Sequence, residues 1–383
     1  MAAPAAVVLA TLETKAEETD YLTQKLAEHG VTCRTIDISL GSSGAVLDGA
    51  DKIRAMDDAV DRAIGTIDGA VADAQVVVGV GGGTGGEIAL RVMRALPITF
   101  PKVLITTLPF DPRIAAADAS IIFVPTLADI CGLNATLREV LENAAALTAG
   151  LCTTRRQAGA CVERPSVGIT GLGATEGAVQ GLVAALRARG QECTVFHANG
   201  YGGAAFARFA QQGAFHTIVD LTPHELTRLH IAGAHVPMPE RFSAGGSLPR
   251  IVLPGALNFI GLGERSLLPD AYLDRPHYEH SGYFTHVKLT PDEMREVAGQ
   301  LAAALNAASG PKTLIVPLGG FSHQDAPGGA IEDRALREVF LGEARQQLRP
   351  EIEVRVVEAH IADPAVTAAI LEAMDAHAST KET

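Results

Sequence analysis

Six glycines fall within the eight residues Gly79-Val-Gly-Gly-Gly-Thr-Gly-Gly86. They follow the β-branched run that begins at Val76 and precede Glu87–Leu96, whose apolar residues recur at helical spacing. A strand, a glycine loop and a helix in that order suit an anion. Glycine lets the chain turn sharply and approach a ligand closely, and a helix start offers free N–H donors and a partial positive charge. Binding of a phosphate or carboxylate is therefore expected at Gly81, Gly82, Gly83, Thr84, Gly85 and Gly86. A strand-to-helix turn with no ligand needs fewer glycines. The run formally fits G-x-G-x-x-G, but the dinucleotide form opens the first βα unit and has an acidic residue about 20 positions on. Here two strand candidates, Ala5–Ala10 and Thr32–Ile38, come earlier, and the next strand, Lys102–Thr107, ends in two threonines. A P-loop requires Gly-Lys-Ser/Thr, where this chain has Gly86-Glu-Ile88.

The second half concentrates histidines and carboxylates near strand ends: His197, Asp220, His224, Glu225, His280 and His323. Such groups at the carboxyl edge of an α/β sheet suit acid–base chemistry. A pocket is expected there from Thr170, Gly171, His197, Gly202, Gly203, Asp220, Thr222, Glu225 and Asn258. In it His197, Asp220 and Glu225 carry the catalysis and the others bind substrate. Two structural readings stand beside this one. Glu225 complements a helix dipole equally well, and Asp220 can cap a helix. His224-Glu225 does not continue as H-E-x-x-H, because position 228 is Arg. No G-x-S-x-G elbow occurs in the sequence.

The elements that must position these groups alternate. Strands are expected at Ala5–Ala10, Thr32–Ile38, Val76–Val80, Lys102–Thr107 and Ser120–Val124. The intervening helices include Ala16–His29, capped by Thr14 with Glu17, and Ala135–Leu151. After the polar stretch Cys152–Pro165, with Arg155, Arg156 and Arg164, the pattern restarts at Ser166. The expected architecture is α/β: two Rossmann-like domains with mainly parallel sheets, residues 1–151 and 166–383, joined by a 152–165 linker. Ligands of such sheets lie outside the carboxyl ends of the strands, where Thr11, the glycine run, Thr106 and Thr107 stand.

The totals exclude several classes. The chain has 383 residues, a net charge of −13 and 4% aromatic content without Trp. That balance argues against a nucleic-acid surface. No uninterrupted apolar run of about 18 residues exists, so no membrane span is expected. Five scattered cysteines, including Cys161, lack C-x-x-C spacing; a reducing cytoplasm is the expected location, and no metal site is read from the sequence.

Several segments, in order along nearly the whole chain, resemble the Tm-1-like ATP-binding family. They are Ala10-Thr-Leu-Glu-Thr-Lys15, Gly81–Gly86, Leu96-Pro97 with Pro101-Lys102, Asp129-Ile-Cys-Gly-Leu-Asn134 and Asn143-Ala-Ala145. The second half adds His197-Ala-Asn-Gly-Tyr-Gly-Gly203, Asp220-Leu-Thr222 with Glu225, Pro254-Gly-Ala-Leu257 and Pro317-Leu-Gly-Gly-Phe-Ser322. The resemblance implies two α/β subdomains, ATP binding and a homodimer. The chain departs from the family pattern at Thr107-Leu-Pro-Phe-Asp111, at Asn258-Phe-Ile-Gly-Leu-Gly263, where relatives often carry Asp first, and at His286-Val-Lys-Leu-Thr290. The leading expectation is a nucleotide, ATP by resemblance, held by Thr11, Thr14, Lys15, Gly81–Gly86, Thr106, Thr107 and Asn134. Lys15 supplies the charge that a P-loop lysine would give. The alternative is a hydrolase or lyase acting on a small organic acid or carbonyl compound.

Overall fold

The most apolar strands sit where both faces of a sheet are covered. In this computed structural model, which describes residues 5–42, 45, 47–153, 165–233 and 236–379, Val76–Val80 and Lys102–Thr106 are buried at every position. The chain divides into two units, residues 1–158 and 159–383. Cys161, Arg155, Arg156 and Arg164, and with them most of the expected linker, lie outside the described residues.

The first unit is a five-stranded parallel sheet in the order β2-β1-β3-β4-β5. Its strands are β1 (Ala5–Ala10), β2 (Thr32–Asp37), β3 (Val76–Val80), β4 (Lys102–Thr106) and β5 (Ile122–Pro125). Among the described residues the helices packed around it are α1 (Leu12–Glu28), α2 (Gly49–Val71), α3 (Gly83–Ala95), the short α4 (Pro112–Ala115) and α5 (Ala135–Thr153). Side chains alternate along each strand, so β1 serves two cores. Val7 and Leu9 pack with α2 and α3 (Val60, Ile67, Ile88, Val92), whereas Ala6 and Val8 pack with α1 and α5 (Leu22, Leu26, Leu137, Leu141). The expected start of α1 is corrected. It begins at Leu12, not Ala16, and its N-cap is Thr11; Thr14 lies inside the helix, which kinks at Lys15 (φ −130°, ψ 25°).

The second unit repeats this order on a larger scale. Six parallel strands run β14-β13-β9-β8-β6-β7: β6 (Ser166–Gly171), β7 (Cys193–His197), β8 (Phe215–Asp220), β9 (Arg250–Val252), β13 (Lys312–Pro317) and β14 (Glu353–Val357). In each unit the first strand lies between the second and the third. Between β9 and β13 the chain inserts an antiparallel sheet, β10-β12-β11, from β10 (Phe259–Leu262), β11 (His277–Ser281) and β12 (Phe284–Lys288). Sequence patterning leaves this region as a loop, because β11, His-Tyr-Glu-His-Ser, carries no apolar alternation.

Candidate functional site

The strand order of the first unit reverses direction between β1 and β3, and a crevice at the carboxyl ends of the strands opens at such a point. A cavity of about 440 Å³ lies there, lined by Thr11, Thr14 and Lys15 after β1, by Gly82, Gly83, Thr84 and Gly85 after β3, and by Asp129. Its remaining wall, which sequence reasoning missed, comes from the loop after β2 and the start of α2: Ser39, Leu40, Ser42, Ala45, Leu47 and Lys52. A volume of this size accommodates a small-molecule ligand.

The glycines divide by role. A Cβ on Gly81 would lie 2.5 Å from the Gly85 carbonyl carbon and the Gly86 nitrogen, so Gly81 is needed for the turn to close. A Cβ on Gly86 would meet Thr106 Oγ1 at 3.1 Å. Gly83, the first residue of α3, has nothing within 4 Å of its Cβ position and faces open space. The amides of Gly83, Thr84 and Gly85 belong to the first turn of α3, where the helix supplies no acceptors. Asp37 braces the opposite wall. Its Oδ1 accepts from Leu12 N (3.1 Å), Ser39 N (2.9 Å) and Ser39 Oγ (2.5 Å), and Ser39 Oγ accepts from Glu13 N (3.0 Å). Burial opposes ionisation of Asp37, but these donors outweigh it and hold the carboxyl below its ordinary range. Two cations, Lys15 and Lys52, and two carboxylates, Glu13 and Asp129, border the cavity. Neither ammonium makes an ion pair among the described residues.

Of the residues expected to hold a nucleotide, the cavity thus gathers Thr11, Thr14, Lys15 and Gly82–Gly85. Gly81, Gly86 and the fully buried Thr106 stand behind it as packing. Thr107 is adjacent, its Oγ1 3.7 Å from the Cβ position of Gly82. Asn134 lies elsewhere: it caps α5, its Oδ1 accepting from Leu137 N at 3.0 Å. The motif lysine Lys102 is also structural, donating to the carbonyls of Pro97, Ile98 and Phe100 at 2.7, 3.0 and 2.9 Å.

The substrate pocket expected in the second unit meets a different arrangement. Asp220, at the end of β8, accepts both guanidinium nitrogens of Arg241 at 2.8 Å and Thr170 Oγ1 at 2.7 Å. Arg241 also reaches Glu225 Oε2 at 3.2 Å, and Arg250 lies 3.9 Å from Asp220. Arg241, Asp220, Glu225, Thr222 and Asn258 are all buried. The glycines there close packing too: a Cβ on Gly171 would strike Val179 at 2.8 Å, on Gly202 the His197 carbonyl oxygen at 2.1 Å, and on Gly203 Glu225 Oε1 at 2.6 Å. Burial opposes the Asp220 charge, but Arg241 overcomes it and holds that carboxyl below its ordinary range. Burial pushes Glu225 up, Arg241 opposing and Asp220 adding to the rise. These carboxylates therefore act as counter-ions inside the fold, and His197 is hydrogen-bonded to neither among the described residues. The partner that sequence reading missed is Arg241.

Two histidines of this unit are buried and neutral. Desolvation lowers His224 to about 3 and His286 to about 4, with further lowering from the Arg228 charge in both and, in His286, from His280. Both values lie below the unfolded value of about 6.5, so the folded state binds fewer protons. Their stabilising contribution is present above about pH 6.5 and is lost as pH falls toward about 4. Thermal unfolding should therefore show a melting temperature that drops over this interval, and His286→Phe should flatten the drop. An unchanged slope would refute the assignment. Among the described residues no group of three or more His, Cys, Asp or Glu side chains is arranged to hold a metal, and no helix is long and apolar enough to cross a membrane.

Residues 41–157 match the N-terminal domain and residues 164–378 the C-terminal domain of the "Uncharacterised protein family (UPF0261)". The chain belongs to the UPF0261 family. A UPF0261 protein of Rhizobium meliloti is 33% identical over 388 residues, covering 93% of this chain and 95% of the relative. One from Mesorhizobium japonicum is 30% identical over 392 residues, covering 96% and 98%. The ToMV resistance protein Tm-1(GCR237) of Solanum lycopersicum is 29% identical over 307 residues, which span 77% of this chain and 40% of the tomato protein. The UPF0261 chain is thus also similar to the plant protein that gives the Tm-1-like family its name.

Proposed function

We propose that the first unit binds a nucleotide, ATP foremost, with its phosphates against the α3 N-terminus. The observation that carries this reading is the convergence, at the β1/β3 switch point, of Gly82–Gly85 with Lys15 and Lys52 around one cavity. Backbone amides give an anion several donors without a side chain in the way, and the lysines add the countercharge that a P-loop lysine gives elsewhere. The similarity to the Tm-1-like family supports ATP in particular. Glu13 and Asp129 favour a polyphosphate that brings a cation with it over a bare anion, because a carboxylate repels the latter. Isothermal calorimetry with ATP, ADP and a panel of small organic acids tests the proposal: ATP or ADP should bind, and Lys15→Ala should weaken binding by roughly tenfold. Binding of an acid at this cavity with none of either nucleotide would overturn it.

The proposed assembly is a cytoplasmic homodimer, in keeping with the family resemblance and with exposed apolar side chains such as Ile53, Leu127 and Leu267, 62%, 88% and 78% exposed. Sedimentation at micromolar concentration should give twice the 39.9 kDa chain mass; a monomer would refute it.

A further inference from the structure

A second cavity lies between the stretch that joins β8 to β9 and the end of the helix Pro291–Ala307. At about 750 Å³ it is larger than the cavity at the β1/β3 switch point, and nothing in the nucleotide reading uses it. One wall is apolar: Leu229, Pro237, Met238, Pro239 and Phe242. Facing it are Ala304, Ala307 and Ala308, whose methyl groups leave room that longer side chains would fill. Ser243, Ser247 and Ser309 supply hydroxyls, and no charged side chain lines the space among the described residues.

The walls are held from behind. Gly246 O accepts from Ser309 N at 2.9 Å and from Gly310 N at 2.8 Å, which ties the loop to the end of the helix. Arg250 donates to the Ala244 carbonyl at 2.6 Å. The Arg241 guanidinium lies 4.5 Å over the Phe242 ring and is itself fixed by Asp220 and Glu225. The buried ion network thus braces a cavity wall. A wall held in this way does not collapse into the space, and a preformed, mostly apolar opening of this size suits a small molecule.

The polar end of the cavity is a helix terminus. Ala308 N donates to Ala304 O at 3.2 Å, whereas the next two amides turn to Gly246. Lys312 Nζ donates to the Ala308 carbonyl. The carbonyls of Leu305, Asn306 and Ala307 accept no hydrogen bond among the described residues. Open carbonyls at a helix C-terminus favour a donor and disfavour an anion. Ser247, exposed at the same end, makes no side-chain hydrogen bond among the described residues.

We propose that this cavity binds a neutral aromatic alcohol, with its ring against Met238 and Phe242 and its hydroxyl at the helix end, between the open carbonyls and Ser247. A thioether and a phenyl ring both pack favourably on a flat ring. A hydroxyl is donor and acceptor at once, so it serves a carbonyl and a serine together. A carboxylate in its place would lose water without meeting a cation in the cavity wall.

Naphthol and naphthoate share a ring system and differ in that group, and they are the probes. Titrated into the full chain, naphthol should bind with a Kd below about 1 mM, read by its own fluorescence, which no Trp of the protein obscures. Naphthoate should bind at least about tenfold more weakly. The methyl resonance of Met238, one of six methionines, should move with naphthol. Ala304→Phe fills the space from a half-buried position, and Ala307→Phe does so from an exposed one where the fold tolerates change. Each should weaken naphthol by about tenfold or more, with the melting temperature of Ala307→Phe unchanged. The proposal is overturned if naphthol does not bind below that limit, if naphthoate binds as tightly, if the Met238 methyl stays still while naphthol binds, or if affinity survives in Ala307→Phe. The cavity belongs wholly to the second unit, so the nucleotide proposal can fail without this one, and this one without it.

Discussion

Gly83→Val is expected to leave the protein folded and to remove nucleotide binding, with affinity down by about 100-fold or more, whereas Gly81→Ala is expected to damage the fold itself. The two glycines are two residues apart in one loop, and the difference rests on what a side chain would meet. At Gly83 a Cβ meets no atom within 4 Å and the backbone is helical, so valine costs the fold little; helix propensity even favours it slightly over glycine. Its branched side chain then stands over the first-turn amides that the phosphate would use. At Gly81 a Cβ would lie 2.5 Å from backbone atoms of Gly85 and Gly86, which cannot move without opening the turn. Overpacking of that kind costs roughly 1–3 kcal/mol. Calorimetry with ATP, alongside thermal melts, separates the outcomes. Normal ATP affinity in a folded Gly83→Val protein would reduce the loop to a strand-to-helix turn.

The contrast between these glycines also marks how far the sequence could be read. That a glycine run between an apolar strand and an amphipathic helix forms a loop at a helix start follows from local pattern, and the apolar runs Val76–Val80 and Val103–Ile105, with no polar alternation, point to strands covered on both faces. Which glycines face the ligand does not follow, because it depends on contacts across the turn. The wall supplied by Ser39, Ser42 and Lys52 was hidden for a related reason: it requires β2 to lie beside β1 and β3 on the other side, and strand order is a tertiary property. Asn134 carried a readable capping signal, a polar residue directly before a helix, but stood in a family motif that suggested a ligand contact instead. The short sheet β10-β12-β11 has almost no period to read. Arg241 was least accessible of all. It stands 21 residues beyond Asp220 in an aperiodic stretch, and only the fold makes it the partner of two carboxylates that looked catalytic.

That partnership predicts that the two carboxylates respond oppositely to neutralisation. Arg241→Met should destabilise the protein by about 3–5 kcal/mol, because Asp220 and Glu225 then stay buried without their shared cation. Asp220→Asn should cost a similar amount, since it breaks the paired bonds to Arg241 and the acceptor for Thr170. Glu225→Gln should cost about 1 kcal/mol or less at neutral pH. Its one bond to Arg241 is the longest of the set at 3.2 Å, and its Oε1 is buried without a partner. The pH dependence sharpens the contrast. Asp220 is held below its unfolded value of about 3.9, so its contribution is present above that value and lost as pH falls further. Glu225 is pushed above its unfolded value of about 4.3, so its contribution is present below that value and fades as pH rises through the folded one. Urea unfolding at intervals from about pH 4 to 8 should therefore show Glu225→Gln becoming less costly relative to wild type as pH rises, and Asp220→Asn retaining its full cost at neutral pH. Equal costs for the two substitutions across that range, or a neutral Arg241→Met, would show that the cluster is not the counter-ion network its geometry describes.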